Sequence, residues 1–273
     1  MIKIKIKIKI KIKIKIKIKI KIKIKIMMLK TGCSLLIYSA DSLSTMTSFP
    51  KAISMLTVHH LNNSRSQRIL WLLEELEADY QIKQYARDSV TNLAPPELEA
   101  IHPLGKSPMI THGDRTFIES GAIIDYILRH YSKAAVTEEN KHRLTPQVDT
   151  HQYEEYLQWL HYAEGSAALP LMLKLYTSKL SDAGAALQPR INDEIQRHLG
   201  YLEQALKGVD WFVDNRFSAA DIQLSFVAEI TPMLYSFESL PNLLAFRNRC
   251  QARPAYQRAL KKGGFYAFGP TDQ

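Results

Sequence analysis

From residue 55 onward, the spacing of apolar and polar residues changes period along the chain. Residues 55–59 form a short apolar-led run with strand character. LNNSRSQ follows, rich in the Asn and Ser that favour a turn and a helix N-cap. Ile69, Leu72, Leu73 and Leu76 then fall on one face of a helix. Residues 80–85 read as a second strand, so strand, helix and strand follow in the order of a parallel β-α-β unit. Pro95-Pro96-Glu97 predicts the opening of a short helix. Residues 109–111 and 115–118 are two apolar-rich runs separated by His112, Gly113 and Asp114, a spacing that predicts a tight hairpin. Glu119-Ser120 opens a further segment, with Ile123, Ile127 and Tyr131 at helical spacing. The predicted order over residues 55–131 is therefore βαβαββα.

Residues 132–140 are polar and predict a linker, beyond which the period is helical almost throughout. Tyr153, Tyr156, Leu157, Leu160 and Ala163 repeat at three and four residues, as do Ile191, Ile195, His198, Leu199 and Leu202. Ser218-Ala219-Ala220-Asp221 matches a capping box with Asp in the place usually held by Glu, and Ile222, Leu224, Phe226 and Val227 follow it. The pattern divides the chain into residues 1–54, an α/β domain over 55–134 and an all-helical domain over 140–268.

Composition changes the picture mainly by removing the head from the fold. Residues 2–26 alternate Ile and Lys strictly; as one strand, at about 3.3 Å per residue, they would span roughly 80 Å. Such low complexity reads as an extension, a tag or a misassigned start, with Met55 the start that suits the fold best. Of 36 basic and 27 acidic residues, residues 1–54 hold 14 and one, which leaves 22 and 26, a net charge of −4 for residues 55–273. The basicity belongs to the head, so the folded part gives no reason to expect nucleic acid as a partner. Membrane association is expected only if the Ile-Lys head is genuine, since residues 35–38 are too short to span a bilayer. Cys33 and Cys250 alone exclude a disulfide framework or a cysteine metal site, no metal is expected, and the cytoplasm is the default compartment.

Candidate chemistry concentrates in residues 101–124. Pro108 lacks an N–H and biases Ser107 towards extended backbone, so a strand can begin there while the Ser107 main chain stays open to an extended peptide. The unpaired N–H groups and dipole of the helix opening at Glu119-Ser120 favour an anion such as a carboxylate.

In order and spacing, the strand-ready backbone at Ser107-Pro108 and the Glu119-Ser120 helix start resemble the glutathione-binding half of glutathione transferases. The resemblance covers nearly all of residues 55–268. LNNSRSQRILWLLEEL, APPELEAIHPLGKSP, ESGAI and YAEGSAALPLML look closest to a fungal and bacterial branch with an IHPLG-type loop, although His102 stands where Asn commonly precedes this proline. It implies a thioredoxin-like first domain followed by an all-helical one. It also implies a cis Pro108, main-chain pairing of Ser107 with the cysteinyl part of glutathione, and Glu119 and Ser120 on the γ-glutamyl end. A homodimer is implied as well.

Conjugation needs the glutathione thiol ionised, and a free thiol has a pKa of about 8.5. A hydroxyl aimed at the sulfur favours the thiolate, and Ser64, four residues before Arg68, matches the spacing of the serine-type members. Its other reading is an N-cap or turn serine, and Asn63 and Ser66 are neighbours open to the same role. No cysteine occupies this loop. Lys106 is placed to meet the glycyl carboxylate, and His102 to donate to the same group. Arg68 is expected to pair with a local acid. Tyr153, Tyr156, Trp159 and Tyr162 give a helix an aromatic surface able to wall an electrophile pocket, with the first three the candidates for that wall, although at helical spacing no more than two of the four are expected to face substrate.

These residues predict a glutathione transferase with glutathione as co-substrate, no permanently bound cofactor, and small apolar electrophiles as its second substrates. Reduction of peroxides or disulfides would use the same thiolate. A binding or regulatory module of the same fold is the alternative, which failure to bind glutathione would favour.

Overall fold

Strand β1 (Leu56–Leu61) sits inside the sheet, between β2 (Tyr80–Tyr85) on one side and the hairpin β3 (Met109–His112) and β4 (Arg115–Phe117) on the other. The computed structural model describes residues 55–131 and 144–270. The Ile-Lys repeat, Cys33 and the predicted linker at 132–140 lie outside the described residues. Leu56 to Leu61 run parallel to Tyr80 to Tyr85 in unbroken register, while Thr57 to His59 pair antiparallel with Thr111 to Met109. His112 pairs with Arg115, so the hairpin turns on Gly113 and Asp114 alone. Gly113 supplies the positive φ, +66°, that such a turn requires.

The parallel crossover is helix α1 (Ser66–Glu75). Its four predicted inward residues suggested one apolar face, yet Leu70 and Trp71 are also fully buried. The reason is distant in sequence: helix α8 (Pro254–Gly263) packs along α1 and binds it electrostatically. Arg258 and Lys262 meet Glu74, and Arg253 meets Glu75. The helix predicted at Pro95-Pro96-Glu97 is only a 3-10 turn, Pro96–Leu98. The backbone goes on turning, with Ala100 N–H on the Pro96 carbonyl and His102 N–H on that of Leu98, and reaches Pro103 without forming a regular helix. Helix α2 (Ser120–His130) closes the first half, and the whole is a thioredoxin-like fold with a mixed four-stranded sheet.

The second half is helical: α3 (His151–Tyr162), α4 (Ala168–Thr177), α5 (Gln188–Ala205), α6 (Ala219–Leu234) and α7 (Pro241–Ala252) precede α8. A π-helical segment, Ala163–Ala167, joins α3 to α4. Helix α6 is buried from Ala219 to Thr231 and forms the axis of this half. Its start carries the predicted capping box: Asp221 Oδ2 accepts from Ser218 N–H at 2.7 Å, and Ser218 Oγ accepts from Ala220 N–H at 3.3 Å. Asp221 Oδ1 also holds Phe212 N–H at 3.0 Å. Burial pushes its carboxyl up to about 6 against those donors. Among the described residues no helix is long and apolar enough to cross a membrane.

Candidate active site

Two turns of the first half and one helix of the second converge on a cleft of about 230 Å³. Lys106, Ser107, Pro108, Glu119 and Ser120 line it together, although 12 residues of chain, including the hairpin, separate Ser107 from Ser120. The sheet brings them into register: β3 starts directly after Pro108 and β4 ends just before Ile118. The Ser107–Pro108 peptide is cis. Glu119 adopts φ +66°, ψ +113° at the N-cap of α2 and makes no side-chain cap bond. A non-glycine residue in that region is strained by about 1–3 kcal/mol and is found mostly where a ligand is handled.

Ser120 is 4 % exposed and receives two hydrogen bonds, from Arg68 Nη2 at 3.2 Å and Gln223 Nε2 at 2.9 Å. Both lone pairs of the hydroxyl are then occupied, so its remaining capacity is to donate. A ligand group opposite it must be an acceptor, as a carboxylate is.

Arg68 is buried, and its partner is not local. Its Nη2 donates to Glu164 Oε1 at 2.6 Å across 96 residues of sequence, and Nη1 donates to the Gln223 carbonyl. Arg65 Nε reaches the same Glu164 oxygen at 2.8 Å. Both guanidinium groups lie over the Phe226 ring, at 4.5 and 5.4 Å from its centroid. Burial works to raise the Glu164 carboxyl, but the charges of Arg68 and Arg65 outweigh it and hold Glu164 below the usual carboxylate range. Arg65 and Glu164 both line the cleft, and sequence reasoning missed them there. Glu164 was visible only as a lone acid in the small-residue run AEGSA. Its position in a π-helical segment, a local feature frequent at functional sites, has no sequence signature.

Ser64 lies one hydroxyl behind the cleft wall, 4 % exposed, with its Oγ 3.2 Å from Ser107 Oγ and 2.8 Å from Ser66 Oγ. It also accepts the Ser66 N–H at 3.2 Å, so it is a turn serine that lies close to the cleft; the N-cap of α1 is Arg65, which makes no side-chain cap bond. Of the residues predicted to hold the tripeptide, His102 alone is absent from the cleft lining: its Nδ1 accepts from Leu104 N–H at 3.3 Å and shapes the loop. The aromatic wall is corrected too. Tyr156 and Trp159 are 3 % and 4 % exposed, with Trp159 packed on Tyr201 and Phe212, and Tyr153 is half-buried against the same core. Their three-residue spacing puts them on the inward stripe of α3. A slightly larger cavity, about 280 Å³, lies by Thr145, Thr150 and Phe217 and gathers none of the predicted residues.

A cleft with a main-chain edge at Ser107, an acceptor-seeking Ser120 and paired charges at its rim suits an extended, zwitterionic peptide. The comparisons agree. Residues 54–129 and 166–254 match the families described as Glutathione S-transferase, N-terminal domain, and Glutathione S-transferase, C-terminal domain. Glutathione S-transferase 3 of Schizosaccharomyces pombe is 31 % identical over 226 residues, 76 % of this chain and 88 % of that protein. The chain belongs to the glutathione S-transferase family. Glutathione S-transferase 1 of Saccharomyces cerevisiae is 32 % identical over 208 residues, 68 % of this chain and 83 % of the relative. A glutathione S-transferase from Actinobacillus pleuropneumoniae has a solved structure 33 % identical to this chain, with a TM-score of 0.70, covering 78 % of this chain and 95 % of that one. The glutathione S-transferase described here is thus an enzyme whose thioredoxin-like half carries most of the cleft and whose helical half contributes Glu164.

Proposed function

We propose that this transferase is of the serine type and that Ser64 stabilises the glutathione thiolate. Glutathione lies extended along the cleft: its cysteinyl unit pairs with the Ser107 main chain beside Pro108, and its γ-glutamyl carboxylate takes the hydrogen of Ser120 and the free N–H groups of the α2 start. Glu119 and Glu164 face the γ-glutamyl ammonium, and Lys106 meets the glycyl carboxylate. At about 230 Å³ the cleft is below the roughly 300–1,000 Å³ of pockets that engulf a ligand, which suits a peptide held along one edge.

The observation that carries this reading is the 3.2 Å approach of Ser64 Oγ to Ser107 Oγ, which sets a hydroxyl beside the backbone expected to bind the cysteine. The thiolate attacks a small apolar electrophile or, by the same nucleophile, a peroxide or a disulfide. With Tyr156 and Trp159 in the core, the electrophile wall falls to the apolar residues left exposed on α4, Leu169, Leu173 and Tyr176. The Arg87 guanidinium holds the Asn62 and Asn63 carbonyls beside Ser64. We assign the chain to a cytoplasmic homodimer acting in detoxification, with residues 55–134 binding glutathione and 140–268 supplying the second substrate's pocket.

The test is conjugation of glutathione to a small aromatic halide by the full chain and its Ser64→Ala variant, with glutathione affinity measured for both. One charge-assisted hydrogen bond is worth about 1.5–3 kcal/mol, so turnover is expected to fall about 10- to 100-fold with affinity retained. Equal turnover would move the role to another group.

A further inference from the structure

The hydrogen of Ser64 is already committed, and the chain of contacts behind it shows to what. His60 is 3 % exposed, its Nε2 is the ring nitrogen beside Gly263, and the Gly263 backbone acts to raise its pKa, as a carbonyl accepting from the ring does. A carbonyl can only accept, so Nε2 carries the proton and Nδ1, in the neutral ring, is an acceptor. Burial lowers His60 to about 4, which keeps the ring neutral at physiological pH. Ser66 Oγ lies 2.8 Å from His60 Nδ1 and 3.3 Å from the Leu61 carbonyl, and both of these are acceptors. Its single hydrogen is therefore spent behind it. In the 2.8 Å contact between Ser64 and Ser66 the hydrogen must then be that of Ser64. Ser64 in turn accepts from Ser66 N–H, while the Ser107 hydroxyl, 3.2 Å from Ser64 Oγ, donates to the His59 carbonyl at 3.3 Å. From Ser64 the donors run inward through Ser66 to His60, towards the C-terminal end of α8.

We propose that Ser66 is a positioning residue that competes with the bound glutathione sulfur for the hydrogen of Ser64, with His60 fixing the direction of that competition. The inference rests on the reading of Ser64 as thiolate donor. To serve the sulfur, Ser64 must turn its hydrogen outward and leave the Ser66 oxygen without a donor. The pair therefore holds the thiol less acidic than Ser64 alone would make it. Direct proton uptake by His60 is not the device: a group titrating near 4 is about four units below a thiol of pKa about 8.5, a disadvantage of more than 10,000-fold.

The experiment titrates the bound thiol of glutathione by its ultraviolet thiolate absorbance in the wild-type chain, Ser66→Ala and Ser64→Ala. Ser66→Ala keeps the Ser66 N–H that seats Ser64 and removes only the competing oxygen. The bound thiol pKa is expected to fall by about one unit, a roughly tenfold gain in the thiolate ratio, while in Ser64→Ala it rises. A buried hydroxyl with a purely structural role would not lower that pKa. If Ser66→Ala does not fold, Ser66→Gly makes the same deletion and reads the same shift. An unchanged or raised pKa in the Ser66 variant, with Ser64→Ala still raised, overturns this inference and leaves the donor role of Ser64 intact. No change in Ser64→Ala overturns both.

Discussion

Glu164 and Glu229 are acids of the helical half, the first part-buried and the second buried, and their surroundings shift their carboxyls in opposite directions. Glu164 stands between two guanidinium groups at the cleft and is held ionised below its usual range. Glu229, in the middle of α6, accepts from Tyr256 and Tyr266 hydroxyls at 2.8 and 2.9 Å, and burial pushes it up to about 7. Phenols are donors without charge. They satisfy the oxygens of Glu229 but do not offset the cost of removing an ion from water. The first acid keeps a charge where a ligand arrives; the second, about half protonated near neutral pH, ties α6 to α8 and the segment that follows it.

The largest expected effect comes from breaking the charged member. Glu164→Ala leaves Arg68, 1 % exposed, without its counter-charge, and removing one partner of such a pair costs about 3 kcal/mol or more. Urea unfolding at pH 7 should show that loss together with weaker glutathione binding; an unchanged midpoint would mean that Ser120 and Gln223 suffice for Arg68.

The two acids should also give stability opposite slopes with pH. Glu164, depressed on folding, contributes above the ordinary carboxylate range, and that contribution is lost as pH falls through its lowered value. Glu229, raised on folding, contributes fully below about 4.5 and loses that contribution as pH rises through about 7. A shift of that size corresponds to at most about 3 kcal/mol. Glu229→Gln should therefore gain stability relative to wild type between pH 5 and pH 8, and a difference independent of pH across that range would remove the titration of Glu229 from the account.

The smallest effect sharpens the contrast with an exposed charge. Lys106→Ala should weaken glutathione binding by about 1 kcal/mol, roughly fivefold in Kd, with turnover at saturation unchanged. An unchanged Kd by calorimetry would take Lys106 out of the site.

The parts of the molecule that were legible in the sequence are those written locally. The Tyr80–Tyr85 strand, the Gly113 turn and the Ser218–Asp221 box each depend on neighbours within a few residues, and each formed as expected. Lys106, Ser107, Glu119 and Ser120 were found because two short motifs carry them. What escaped depends on residues far apart: the burial of Leu70 and Trp71 needs α8, and the partner of Arg68 lies 96 residues away. Helical period cannot say which stripe meets the cleft and which meets the core, and so Tyr156 and Trp159 turned inward against expectation.

The loop bearing Ser64 has one more tie. Asn63, at φ +50°, uses its side-chain oxygen to accept the N–H of Ala267, 204 residues later, and the neighbouring Tyr266 is anchored on Glu229. During synthesis, then, the loop of the hydroxyl on which we place the chemistry leaves the ribosome long before Ala267, and cannot be completed until that residue has been added. A nascent chain can assemble its sheet early and remain without a finished Ser64 loop until the segment after α8 has been made.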